Sequence, residues 1–117
     1  MYLDKSNKTL QLVLAAAKTT LDCHFSGVYS DTKRDAAFLG TQFTGRSNGL
    51  TIVTVVPAPG DITGREIPEF FFYNADTAPV TVILQYFDGT TTTIIKKTTL
   101  NAGQTLTYEQ FYGWQVN

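Results

Sequence analysis

One cysteine, one histidine, one tryptophan and one methionine occur among the 117 residues. The lone Cys23 excludes an intrachain disulfide, and by itself it makes no structural zinc site. A single His24 beside it leaves the chain short of a transition-metal ligand set. Charge is also scarce, at 16% of residues against roughly 25% in an ordinary soluble domain. The net charge of −1 gives no overall attraction to nucleic acid or an anionic membrane. The basic residues are scattered, with Lys33–Arg34 and Lys96–Lys97 as the only adjacent pairs. Long apolar runs are missing too. Leu10–Ala17 is short, interrupted by Gln11 and preceded by Asp4, so it suits neither a signal peptide nor a span of about 20 apolar residues. A lone thiol suits a chain kept in reducing cytosol.

What the chain does have is threonine, tyrosine and phenylalanine in alternating patterns, which suit a pleated, half-buried surface. The length is that of one domain, enough to close a core without disulfide or metal. Strands are expected at Thr9–Ala16, Leu21–Tyr29, Leu50–Val56, Ile67–Tyr73, Val80–Phe87, Thr91–Leu100, Gln104–Tyr108 and Gly113–Val116. The first competes with a helix because of Ala15, Ala16 and Ala17, but its period-2 pattern favours strand. Asn74–Ala75–Asp76, Asp88–Gly89 and Asn101–Ala102–Gly103 read as turns. Ser30–Gly49 reads as a long loop with a short strand around Phe38–Phe43. The expectation is an all-β, single-domain antiparallel sandwich, jelly-roll-like, of about eight short strands. It would comprise residues 9–117, preceded by a polar arm, 1–8, that orders on docking.

Candidate chemistry is thin. Asp22–Cys23–His24 is the one cluster of carboxylate, thiol and imidazole, but neighbouring strand residues point to opposite faces. Calcium could be sought among Asp31, Asp35, Asp61, Asn74 and Asp76, yet their spacing matches no regular loop. A glycosidase needs two carboxylates about 5–9 Å apart, and nothing in the sequence brings Glu66, Glu69 and Glu109 together. No catalytic residue, metal or cofactor is therefore assigned.

The aromatics are the richest feature. Strict alternation prevents Phe71 and Tyr73 from sharing a face with Phe70 and Phe72. Half of the aromatic set should build the core, and the outward half should meet another chain or stack on sugars. Phe71, Tyr73, Phe87, Phe111 and Tyr112 are the expected contact residues. Arg65, in a glycine-rich loop, is a candidate clamp for a neighbour's carboxylate.

The segments "KTLQLVLAAAKTT", "TIVTVVPAP…R", "YNADTAPVTV" and "L…AGQTLTYEQFYGWQV" resemble small β-rich virion structural proteins of tailed bacteriophages. The resemblance spans most of the chain but not Ser30–Gly49. It implies a non-enzymatic structural protein without cofactor, most readily a capsid decoration (cement) protein that stabilises the particle by surface contacts. Neck, tail or fibre components, or a carbohydrate- or receptor-binding sandwich, are the alternatives. The implied partners are copies of itself, with a trimer favoured, and the major capsid protein or other virion proteins, without nucleic acid or membrane. The implied location is the virion, after synthesis in the bacterial cytoplasm.

Overall fold

The computed structural model describes residues 1–31, 40–60 and 64–117, and among them every regular element is a strand. In chain order these are β1 (Tyr2–Leu3), β2 (Thr9–Leu14), β3 (His24–Asp31), β4 (Gly40–Arg46) and β5 (Val53–Val56). They continue with β6 (Arg65–Tyr73), β7 (Val80–Phe87), β8 (Thr92–Leu100), β9 (Thr105–Glu109) and β10 (Gly113–Val116). One sheet runs β10-β9-β6-β3-β4, with β1 also on β6, and the other runs β5-β2-β7-β8. Every pairing is antiparallel.

The two sheets face each other across one core, so the expected antiparallel sandwich is what forms. Leu10, Leu12 and Leu14 of β2 and Val80, Val82 and Leu84 of β7 meet Phe25, Phe70, Phe72 and Leu106 from the opposite sheet. Their alternation with more exposed neighbours is the pattern seen in the sequence, and burying each large apolar side chain contributes about 1.5–3 kcal/mol. The connections β2–β3 and β5–β6 both cross between layers, while β2 pairs β5 and β3 pairs β6. Those crossings interlock the sheets. Three other connections, β3–β4, β7–β8 and β9–β10, are hairpins that stay within one sheet.

The outer strands of the β3-containing sheet are held by an aromatic ladder on its inner face. Tyr29 lies near Phe43, Phe43 near Phe25, Phe25 near Phe70, and Phe70 near Trp114, with ring centroids 6.2 to 6.5 Å apart. Two cross-strand pairs in this ladder match an aromatic with a glycine, Phe25 with Gly45 and Phe43 with Gly27. Each ring lies over the position where a side chain on its partner would stand. Glycine is what lets both rings lie flat against the sheet.

Several boundaries differ from expectation. The first strand ends at Leu14 rather than Ala16, because the chain turns there toward Asp76. The strand expected at Leu50–Val56 begins only at Val53. Residues 48–51 form a tight turn instead, with the Thr51 amide donating to Asn48 O at 3.0 Å. Leu50 and Ile52 are left exposed. The second half of the expected Ser30–Gly49 loop is β4, a full partner of β3. Residues 32–39 lie outside the described residues, including part of the strand expected at Phe38–Phe43. Val116, two residues after the half-buried Trp114 on the same strand, is 45% exposed at the sheet edge.

The polar segment 1–8, expected as a separate arm, lies on the sandwich. Tyr2–Leu3 pairs with Arg65–Glu66, on the side of β6 that β9 leaves open. Leu3 is fully buried. The Met1 amino group donates to Ile67 O at 3.0 Å and to Tyr108 Oη at 2.8 Å.

Candidate functional site

One end of the sandwich is closed by buried polar groups, which explain the "YNADTAP" stretch. Asn74 is fully buried. Its Nδ2 donates to Ala78 O at 3.0 Å and Leu100 O at 3.1 Å, and its Oδ1 accepts the Asp76 amide at 3.0 Å and the Cys23 thiol at 3.4 Å. The Asp76 carboxylate accepts the amides of Thr19 (2.7 Å), Thr20 (2.8 Å), Leu21 (3.1 Å) and Thr77 (2.8 Å). Those bonds, led by Thr19, stabilise the ionised form and lower its pKa to about 2. Both residues are therefore used up in holding loops together.

Cys23 belongs to this buried end, and burial pushes its thiol pKa up, which opposes thiolate formation. His24 is exposed on the opposite face, its ring 6.1 Å from that of Tyr73. The two side chains diverge, as strand alternation requires. Among the described residues no group of three or more His, Cys, Asp or Glu side chains is placed to hold a metal ion. Of the calcium candidates, Asp31 is paired with Arg65, and Asp35 and Asp61 lie outside the described residues.

The outer face of the β3-containing sheet carries most of what remains. Register fixes three rows across it. The first reads Arg46, His24, Tyr73, Thr105. The second reads Thr44, Ser26, Phe71, Thr107, Gln115. The third reads Gln42, Val28, Glu69, Glu109, Gly113. Small side chains at Ser26 and Thr44, set among Arg46, His24, Tyr73 and Phe71, leave an open depression of about 340 Å³.

Phe71 and Tyr73 thus share this outer face, as expected, with Tyr73 exposed and Phe71 half-buried. Phe87 lies elsewhere, half-buried on the outer face of the other sheet, opposite Thr9 and Thr92. Phe111 and Tyr112 form the tip of the β9–β10 hairpin, 94% and 77% exposed. Phe111 has φ of 76°, the one positive value among the described non-glycine residues. Arg65 corrects its expected role. It is buried, donates to both oxygens of Asp31 (2.6 and 3.3 Å) and to Pro57 O (2.8 Å), and lies 4.2 Å from the Tyr29 ring centroid. Its guanidinium closes the chain on itself and is not offered to a neighbour.

Two features of this face escape sequence reading. Glu69 and Glu109 stand directly opposite each other on β6 and β9, both exposed, an arrangement that like charges destabilise. Arg46 stands at the far corner. Both follow from register between strands remote in sequence, for which no local signal exists.

No family model, no curated protein and no solved structure matches this chain.

Proposed function

We propose that this protein is a non-enzymatic structural subunit of a tailed-phage virion, a capsid decoration protein that self-associates and binds the particle by surface contacts. The observation that carries this reading is the β9–β10 tip. Phe111 is almost wholly in solvent at a φ that a bulky side chain rarely adopts, beside the exposed Tyr112. Local strain of this kind costs about 1–3 kcal/mol and is found where function requires it. Two adjacent aromatics presented this way suit insertion into a recess of a larger assembly, since buried aromatics dominate interface energetics. The resemblance of the strand and turn segments to small virion proteins supports the same reading. Attachment at the major capsid protein is placed ahead of a neck, tail or fibre site.

The test is compositional. Particles banded by density from cells that carry the gene, read by peptide mass spectrometry, are expected to contain the chain in fixed ratio to the major capsid protein. Particles that lack it, while the same lysate holds it in soluble form, contradict the proposal.

A further inference from the structure

We infer that the outer face of the β3-containing sheet is a twofold contact between two copies of this chain, in which Arg46 of each copy meets Glu109 of the other. The inference rests on the reading that the protein self-associates, and it names the face and a twofold symmetry in place of the trimer that the resemblance implies.

The first support is the division of charge. Arg46 ends the first row on the edge strand β4, and Glu69 and Glu109 lie in the third row on β6 and β9. Strands lie about 4.8 Å apart and rows about 6.8 Å apart. Arg46 and Glu109 are thus diagonal corners of a patch on the order of 14 Å on each side. A second copy can be turned by 180° about an axis in the plane between the faces, running along the other diagonal. That rotation exchanges the two corners, so each Arg46 faces a partner's Glu109 twice over. It also crosses the strands of the two copies near a right angle, one of the two packing angles that sheets adopt. A contact of this symmetry is self-complementary.

The second support is the glutamate pair. Glu69 and Glu109 are directly opposite, and among the described residues neither forms an ion pair. Repulsion that costs stability in one copy becomes attraction toward a partner's guanidinium. The third support is shape. The depression beside Ser26 and Thr44 occupies one half of the face, and Phe71 lies near its centre. The same rotation carries the partner's Phe71 to the mouth of that depression. The patch covers only about 200 Å² between its corner residues, well below the roughly 800 Å² per partner of a standard interface, so the dimer should be weak and form only toward the high-micromolar range.

The test is charge reversal read by sedimentation velocity. Arg46 and Glu109 are exposed, so Arg46→Glu should fold with an unchanged thermal midpoint, and Glu109→Arg with a midpoint no lower than wild type, since it replaces the repulsion from Glu69 by attraction. Each variant alone should dimerise about a hundredfold more weakly than wild type, because its two corner contacts become repulsive. Mixed in equal amounts, the two should recover the dimer, since both corner carboxylates of the Arg46→Glu copy then face guanidinium groups of the Glu109→Arg copy. A wild-type oligomer that neither variant weakens overturns this face and leaves self-association standing. A wild type that is monomeric throughout fails both. A monomer that binds N-acetylneuraminic acid and loses it on Arg46→Glu overturns the inference in favour of a sugar ligand.

Discussion

The Asp76 carboxylate accepts the Thr19 amide at 2.7 Å across 57 residues of chain. With the amides of Thr20, Leu21 and Thr77 on the same carboxylate, it fastens the loop after β2 to the turn between β6 and β7. Those bonds hold the carboxyl near 2, below its ordinary 3.8. A depressed carboxyl contributes stability that is fully present above the unfolded value and is lost as pH falls through the folded one. The urea midpoint of the wild type should therefore fall between about pH 4 and pH 2. Asp76→Asn should be less stable than wild type near neutral pH, with the difference narrowing as pH falls through that window. A constant difference from neutral pH to pH 2 contradicts this role.

The aromatic–glycine pairs make a sharper packing claim. A Cβ on Gly27 would stand 2.5 Å from the backbone oxygen of Glu69, as well as against the Phe43 ring. The nearest atoms to a Cβ on Gly45 all belong to the Phe25 ring. A ring can tilt aside more easily than a strand can move. Gly27→Ala should cost about 3 kcal/mol and Gly45→Ala about 1 kcal/mol, the range of overpacked cores. Denaturant titration of the two variants measures the order directly.

Arg65 should tolerate no replacement, including lysine. Its fork reaches Asp31 and Pro57 O together while lying against Tyr29. A lysine has no planar fork to do both. Arg65→Lys should lose about 1.5–3 kcal/mol, the worth of the charge-assisted bonds. Unchanged self-association by the refolded variant would confirm that Arg65 acts within the chain.

Phe111 should separate stability from attachment. Asparagine accepts positive φ more readily than phenylalanine, so Phe111→Asn should raise stability by about 0.5–1 kcal/mol. The same change should reduce co-sedimentation with particles that lack the protein. Loss of stability without loss of attachment would assign the tip a folding role instead.

Much of this was legible from alternation alone. Val80–Phe87 displays its two faces in sequence, and Asp88–Gly89 marks where it turns back, but the register with Thr92–Leu100 also depends on a shift between Leu84 and Gln85 that the turn does not announce. Phe70 and Phe72 point inward and Phe71 and Tyr73 outward for the same local reason. What local pattern could not show depends on pairing between distant strands. Glu69 meets Glu109 through the β6–β9 register, and Arg65 meets Asp31 through the β3–β6 register. Leu50 and Ile52 look like strand residues, but the Asn48–Thr51 turn removes them from the sheet. Val116 alternates correctly with Trp114, yet it lies on an edge strand and is 45% exposed.

The most direct measurement of the account is the solution mass of the wild-type protein, by light scattering coupled to size exclusion over a wide range of loading concentration. A protein that acts by surface contact between copies should move from the 12.9 kDa chain mass toward twice that value as concentration rises toward the high-micromolar range. A mass that stays at the single-chain value at every concentration contradicts self-association, and with it the twofold face.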